Sequence, residues 1–377
     1  MILTEEQRMV RDMARAFARE QIQPNAAAWE KDGIIPEATL REMGALGLMG
    51  MTVPAEWDGA ETDYVSYALA LMEIAGGDGG LSTLMSVNNA PMCAAVLANG
   101  TDAQKEKFLK PMARGEIIGA FCLTEPQAGS DASMLKTKAE RTNSGWRING
   151  TKQFITSGKI SGAAIVFAVT DPYAGKRGIS AFLVPTDTPG YRVASLEHKL
   201  GQKSSDTCQI VFDDMDVPTE YLLGEEGAGY KVALSNLETG RIGIAAQSVG
   251  MARAAYDYAL DYAKERVAFG KPIFEHQAVA FRLADMATQL EAAELMVLNA
   301  AAKKDTGEPC LKEACMAKLF ASEMAEKVCS DAIQTLGGYG YLSEYPIEKI
   351  YRDVRVCQVY EGTSDIQRII ISREIGR

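Results

Sequence analysis

The side chains that could carry chemistry are concentrated in three short segments of the chain. Residues 121–131 read FCLTEPQAGSD, residues 334–341 read QTLGGYGY, and residues 360–368 read YEGTSDIQR. A carboxylate such as Glu361 can act as a general base, or it can lie exposed near the start of a helix, where the helix dipole favours it. Its position alone favours the second role, so its chemistry has to be decided from its context.

The common catalytic and nucleotide-binding motifs are absent from the sequence. The glycine-rich run Leu336–Gly340 follows a helical pattern rather than a strand, which argues against a Rossmann site. No GxxxxGK[ST], GxSxG or HExxH pattern occurs, which excludes P-loop NTPases and the common serine hydrolases and zincins. The two histidines, His198 and His276, are too few for most zinc or haem sites, so no metal is predicted.

The elements that must position these segments change from helical to strand-like and back to helical. Capping-box pairs begin helices at Thr4 and Thr101, and residues 64–74 and 81–97 are rich in Ala, Leu and Met. Short apolar runs with Pro and Gly between them then predict strands, and the Asn149-Gly150 pair predicts a turn. From residue 229 onward, long Ala-, Leu- and Glu-rich segments predict helices.

This order predicts an α+β protein with three domains. We expect an N-terminal α-helical domain over 1–117, a middle antiparallel β-barrel-like domain over 118–223, and a C-terminal four-helix-bundle domain over 224–377.

Composition and charge narrow the class of protein further. Of the 377 residues, 47% are hydrophobic and 24% are charged, which is typical of a soluble globular protein. The formal net charge of −11 argues against nucleic-acid binding. Seven scattered cysteines favour a reducing compartment. With no signal-like segment and no membrane insertion expected, we predict a cytoplasmic protein, while a mature form in the mitochondrial matrix stays open.

Taken together, the three segments resemble one family. Residues 121–131 resemble the first signature of acyl-CoA dehydrogenases, residues 334–341 are similar to the second, and residues 360–368 resemble the segment with the catalytic glutamate. The resemblance covers essentially the whole chain and implies the acyl-CoA dehydrogenase fold with FAD as the cofactor. It also implies dehydrogenation of an acyl-CoA thioester to the trans-2-enoyl-CoA, with electrons passed to an electron-transfer flavoprotein.

The resemblance makes Glu361 the catalytic base for the α-proton and FAD the acceptor of the β-hydride. A carboxylate with a pKa of about 4.3 matches the weakly acidic α-proton poorly, so we expect burial to raise the pKa of Glu361. The backbone N–H of Glu361 and a ribityl hydroxyl would polarise the thioester carbonyl. Some relatives place the base where this chain has Gly240, and glycine cannot serve, which leaves Glu361.

The resemblance also implies a set of cofactor contacts. Arg266 suits a pyrophosphate because its guanidinium donates two parallel hydrogen bonds. Gln334, Gly337 and Gly338 would meet an FAD that is bound mainly by another subunit. The full set is Phe121, Leu123, Thr124, Ser130, Phe154, Ile155, Thr156, Arg266, Phe269, Gln277, Gln334, Gly337, Gly338, Thr363 and Asp365.

Substrate and assembly are the least specific expectations. Ser130, Glu238, Arg241 and Gly362 are expected substrate contacts, and a structural ion-pair role for Arg241 is the alternative. Residues 85–89 and 240–245 resemble the butyryl-type members, so short-chain acyl-CoA is favoured. Three alternatives stay open: a branched, aromatic or sulfur-bearing acyl-CoA as substrate, a flavin oxidase of the same fold, and a non-catalytic binding scaffold.

The resemblance implies a homotetramer, a dimer of dimers, and the long C-terminal helices agree with it.

Overall fold

The predicted helix–strand–helix order is confirmed by the computed structural model, which describes residues 1–376 apart from the side chain of Leu237. Both predicted capping boxes are present, at Thr4 and at Thr101. The helices of the N-terminal domain are α1 (Glu5–Phe17), α2 (Ala26–Asp32), α3 (Glu37–Ala45), α4 (Tyr64–Gly77), α5 (Gly79–Val87), α6 (Ala94–Asn99), α7 (Asp102–Gln104) and α8 (Lys110–Ala113).

The helical run predicted over 81–97 is interrupted, so that expectation was wrong in its middle. Ala90 has an extended conformation (φ −143°, ψ 112°), because it precedes Pro91 and proline disfavours the α conformation of the residue before it. The stretch Gly79–Asn99 is long and apolar enough to cross a membrane, but 78% of its most apolar window is buried inside the protein. It is therefore typical of a core segment.

The middle domain is a single curled sheet. The strands are β1 (Gly119–Cys122), β2 (Lys138–Arg141), β3 (Gly145–Thr156), β4 (Ala163–Val169), β5 (Ile179–Pro185), β6 (Tyr191–Leu196) and β7 (Thr207–Pro218). Their order in the sheet is β1-β4-β2-β3-β7-β6, with β5 paired to β4. Most pairs are antiparallel, but β4 runs parallel to β1 and to β2, which the sequence did not indicate.

The turn predicted at Asn149-Gly150 is not a turn. Strand β3 continues through both residues, and its pairing with β7 shifts register between Ile148 and Gly150. A Cβ at position 150 would lie 2.4 Å from Thr137 Oγ1, so glycine is needed for the close approach of the neighbouring chain.

The C-terminal domain is helical, as predicted. The elements are α9 (Gly229–Glu265), β8 (Val267–Ala268), β9 (Lys271–Pro272), α10 (Gln277–Asp305), α11 (Leu311–Leu336), α12 (Pro346–Val354) and α13 (Ser364–Ile375). The three long helices, α9, α10 and α11, pack against one another, and α4 of the N-terminal domain packs against α9 and α10. A small hairpin of β8 and β9 joins α9 to α10.

Candidate active site

Glu361 lies in the short segment before α13, where the backbone has an unusual conformation. Glu361 has a φ of 54° and Gly362 a φ of 88°, both in the left-handed region that L-residues rarely adopt. The Glu361 carbonyl accepts a hydrogen bond from Gln367 Nε2 at 3.1 Å, and the Gly362 carbonyl accepts from Gln367 Nε2 and Lys318 Nζ, both at 2.8 Å. Backbone held in this way is concentrated at functional sites.

The carboxylate of Glu361 points at helix α9. The residue is half-buried as a whole, but its Oε2 atom is fully buried and has no hydrogen-bond partner among the described residues. A Cβ at Gly240 would lie only 2.8 Å from that oxygen, so position 240 has no room for a side chain unless the carboxylate moves. A buried polar atom without a partner is costly, which indicates that a ligand or a water completes this site.

Burial raises the pKa of Glu361 to about 7, because the charged form loses its hydration. The positive charges of Arg241 and Lys318 oppose this shift. Arg241 is only 5% exposed, and its Nε has no hydrogen-bond partner among the described residues. A carboxyl group with a pKa near neutrality is suited to proton abstraction at physiological pH.

The loop after β1 is held by a buried ion pair that the sequence analysis missed. Lys152 Nζ lies 2.8 Å from Glu125 Oε1 and donates to the Leu123 carbonyl at 3.1 Å. Glu125 also accepts the backbone N–H groups of Lys136 and Thr137 at 2.7 and 3.0 Å. Burial alone would raise the pKa of Glu125, but the Lys152 charge and these hydrogen bonds lower it to about 2. The only sequence signal was a glutamate inside the first signature.

Most of the expected cofactor residues of the middle domain lie on this loop and on β3. Phe154 has a φ of 57° and is 62% exposed, next to a register shift between Lys152 and Ile155. The Gln153 N–H donates to the Thr124 carbonyl at 2.8 Å and so joins the loop to the strand. The Ile155 side chain lies in the core of the sheet, which leaves only its backbone for a ligand.

Five further positions in this region differ in how much they offer to a ligand. Phe121 is half-buried and packs edge-on against Phe167, with ring centroids 4.9 Å apart. Leu123 is 9% exposed, and Thr124 and Thr156 are half-buried. Ser130 is exposed, so it is free to contact either a cofactor or a substrate.

A second group of expected cofactor residues gathers where α11 ends. Arg266, Gln334, Gly337 and Gly338 line one cavity of about 520 Å³, and the Arg266 guanidinium lies over a tyrosine ring at 5.5 Å. A Cβ at either glycine would meet nothing within 4 Å, so the backbone is open to a ligand. None of the residues of the loop after β1 lines this cavity.

The other expected contacts lie outside that cavity lining. Phe269 is 97% exposed, and Gln277 is exposed at the start of α10. Thr363 caps α13 by accepting the Ile366 N–H at 3.4 Å, and Asp365 is exposed in its first turn. Exposed aromatic rings, an exposed arginine and open glycines together fit an extended aromatic dinucleotide such as FAD.

Of the expected substrate contacts, Ser130 lies on the loop after β1, and the other three are divided between two further places. Gly362 and Arg241 lie with Glu361, as described above, whereas Glu238 forms an ion pair with Lys304 at 2.8 Å. Glu238 also lines a cavity of about 510 Å³ together with Lys176, Arg177 and Lys231, among other residues. Glu238 therefore has a structural partner and a position at the edge of a basic cavity.

Family models match the chain along almost its whole length. The acyl-CoA dehydrogenase N-terminal domain matches residues 4–116, the middle domain matches 120–215, and the C-terminal domain matches 227–376.

Individual relatives are similar over the same length. An acyl-CoA dehydrogenase of Bacillus subtilis is 47% identical over 373 residues, which cover 99% of this chain and 98% of the relative. The mitochondrial short-chain specific acyl-CoA dehydrogenase of Rattus norvegicus is 44% identical over 375 residues, which cover 100% of this chain and 91% of the relative.

Two solved structures superpose closely. The butyryl-CoA dehydrogenase of Megasphaera elsdenii has a TM-score of 0.97 at 40% identity and covers 100% of both chains. A chain in a structure of the electron transferring flavoprotein of Acidaminococcus fermentans has a TM-score of 0.98 at 42% identity, covering 100% of this chain and 99% of that one.

Proposed function

The chain belongs to the acyl-CoA dehydrogenase family, whose cofactor is FAD, and we propose that it dehydrogenates short-chain acyl-CoA with Glu361 as the α-proton base. The product would be the trans-2-enoyl-CoA. When bound, FAD supplies the acceptor for the hydride that leaves the β-carbon. The observation that carries the proposal is the buried Glu361 oxygen, which has no partner among the described residues and faces a glycine.

The surroundings of Glu361 suit a base that must be ionised and close to its proton. With a pKa of about 7, the carboxyl group is partly ionised at neutral pH, and it becomes a better proton acceptor than an exposed glutamate. Arg241 and Lys318 favour the ionised form before the proton arrives. Lys318 and Gln367 hold the carbonyls of Gly362 and Glu361, and this fixed turn supports a role for the Glu361 N–H as a donor to the thioester oxygen.

The residues one turn farther along α9 support a short acyl chain. A Cβ at Gly243 would lie 2.7 Å from Ser86 Oγ and 2.8 Å from Tyr67 Oη, and the hydroxyl of the buried Tyr67 donates to Ser86 at 3.4 Å. Gly240 and Gly243 are separated by roughly 4.5 Å along the helix axis. An acyl chain that runs from Glu361 along this face of α9 would meet the hydroxyl pair after about one helical turn, and a long apolar chain would have to displace it.

The basic cavity supports binding of the CoA part of the substrate. Lys176, Arg177 and Lys231 lie around it, and the Lys176 ammonium is 5.1 Å from the centre of the Tyr230 ring. Such a set of cations and an aromatic face suits a phosphorylated nucleotide. Glu238 would shape the edge of the cavity through its ion pair with Lys304.

We further propose a cytoplasmic homotetramer that passes its electrons to an electron-transfer flavoprotein. Exposed apolar side chains on the long helices, including Phe281, Leu295 and Phe320, support an interface between copies of the chain. The cavity with Arg266 and Gly337 is lined by none of the loop residues after β1, which supports a cofactor shared between two subunits.

The experiment is an anaerobic series of acyl-CoA thioesters mixed with the purified FAD-containing protein. Butyryl-CoA should bleach the flavin absorbance fastest, with slower bleaching by octanoyl-CoA and palmitoyl-CoA and turnover when an electron-transfer flavoprotein is added. Absence of bleaching across the series would refute the dehydrogenation. Rapid oxygen consumption without any added acceptor would favour a flavin oxidase instead.

A further inference from the structure

Lys318 is a charged side chain in the interior of the C-terminal domain. It is completely buried on α11, and among the described residues it forms no salt bridge with a carboxylate. Its Nζ donates instead to a backbone carbonyl, that of Gly362, at 2.8 Å. A buried charge without a salt-bridge partner is costly, and a buried lysine in this environment therefore calls for a specific role.

The bond from Lys318 reaches the strained part of the active site. Glu361 and Gly362 are consecutive residues with positive φ, and this conformation persists only when the surroundings hold it. Lys318 holds one carbonyl, and Gln367 holds both. The two side chains come from different helices, α11 and α13, and therefore fix the turn from two sides.

The charges around the base are contributed by several elements. Glu361 is faced by Arg241 from α9 and by Lys318 from α11, and its own charge acts on Tyr67 of α4. Lys318 is also close to two thiols, Cys315 and Cys357. Burial lowers the pKa of Lys318 to about 8, with Arg241 adding to this effect while Cys357, Glu361 and Cys315 oppose it.

We propose that Lys318 is a positioning residue, which fixes the Glu361–Gly362 turn through the Gly362 carbonyl and favours the ionised form of the Glu361 carboxylate through its charge. The importance of this role for turnover rests on the proposed function, but the effect on Glu361 itself does not. Gln367 shares the fixing role and carries no charge, so the two roles of Lys318 can be separated.

Three variants separate them. Lys318→Met removes the charge and the hydrogen bond with little change in volume, and the Gly362 carbonyl keeps its hydrogen bond from Gln367. Gln367→Met removes hydrogen bonds to the same turn without changing charge. Lys327→Met is the control, because Lys327 lies on the same helix but is exposed and pairs with Asp331.

The primary measurement is an infrared pH titration of the protonated carboxyl band that is present in the FAD-containing protein and absent from Glu361→Gln. Lys318→Met should move its midpoint upward by about one pH unit, because an opposite charge nearby lowers the pKa of a carboxyl group. Gln367→Met should keep the wild-type midpoint but bleach more slowly with butyryl-CoA, and Lys327→Met should match the wild type in both.

A wild-type midpoint in Lys318→Met would overturn the electrostatic role, and so would an equal shift in Gln367→Met. Lys318→Met should also bleach more slowly with butyryl-CoA, and bleaching at the wild-type rate in this variant would overturn the positioning role. If the wild-type protein is not bleached by any acyl-CoA, the proposed function fails, while the infrared midpoints still decide whether Lys318 acts on Glu361.

Discussion

Gly240 is the position where a single methyl group tests the geometry of the site. Its ideal Cβ would lie 2.8 Å from Glu361 Oε2, 2.9 Å from Cδ and 3.0 Å from Oε1. The atoms in the way belong to the end of a flexible side chain rather than to backbone. Gly240→Ala should therefore fold normally and displace the carboxylate.

The size of the effect follows from that displacement. An ordinary contact begins at 3.4 Å, so Oε2 must move by at least about 0.6 Å. Because a misplacement of ~1 Å can cost ~100-fold in rate, we expect the rate of flavin bleaching to fall about tenfold, or ~1.4 kcal/mol. Alanine is favoured over glycine inside a helix by ~1 kcal/mol, so the free energy of unfolding should stay equal or rise.

The assay is stopped-flow bleaching by butyryl-CoA, with FAD content and urea unfolding measured on the same samples. Gly76→Ala is the matched control, because Gly76 also lies in a helix, α4, and a Cβ there would make only ordinary contacts, the nearest being 3.5 Å from the Gly250 carbonyl oxygen. Its bleaching rate should equal that of the wild type. A Gly240→Ala protein with full FAD content and an unchanged rate would refute the close approach of Glu361 to α9.

Two further predictions concern stability. The pKa of Glu361 is raised to about 7, so the stability that its protonated carboxyl group contributes is complete below the ordinary pKa of 4.5 and is lost as pH rises through 7. Urea unfolding at pH 8 should therefore find Glu361→Gln more stable than the wild type by up to about 3 kcal/mol. An equal difference at pH 4 would contradict this. Lys152→Met leaves Glu125 buried without its ion-pair partner, which should lower the free energy of unfolding by ~3–5 kcal/mol and lower the FAD content. Combining Lys152→Met with Glu125→Leu should recover part of the stability and part of the FAD content. A Lys152→Met protein as stable as the wild type would contradict the ion-pair account.

The sequence was sufficient for the parts of the fold that depend on local patterns. The capping boxes at Thr4 and Thr101 are residues three apart, and their hydrogen bonds form within one helical turn. The long C-terminal helices follow from a composition that extends over many turns. These features need no knowledge of distant partners.

The features that the sequence did not reveal depend on contacts between distant residues. Glu125 and Lys152 are brought together by the sheet, and Lys318 on α11 reaches Gly362 in the segment before α13. The Asn149-Gly150 pair has a local turn signal, but the close approach of Thr137 makes it a bulge within a strand. The motif resemblance supplied Glu361 and the expectation that burial raises its pKa, whereas its unpartnered oxygen and its close approach to Gly240 became visible only when α9 was in place.

The most direct measurement of the central claim is anaerobic mixing of butyryl-CoA with the wild type and with Glu361→Gln, both loaded with equal FAD. Glutamine keeps the shape of the side chain but cannot accept the α-proton. We predict rapid bleaching of the wild type and a rate lower by ~10²–10⁴ in the variant. Bleaching of Glu361→Gln at the wild-type rate would show that another group removes the proton.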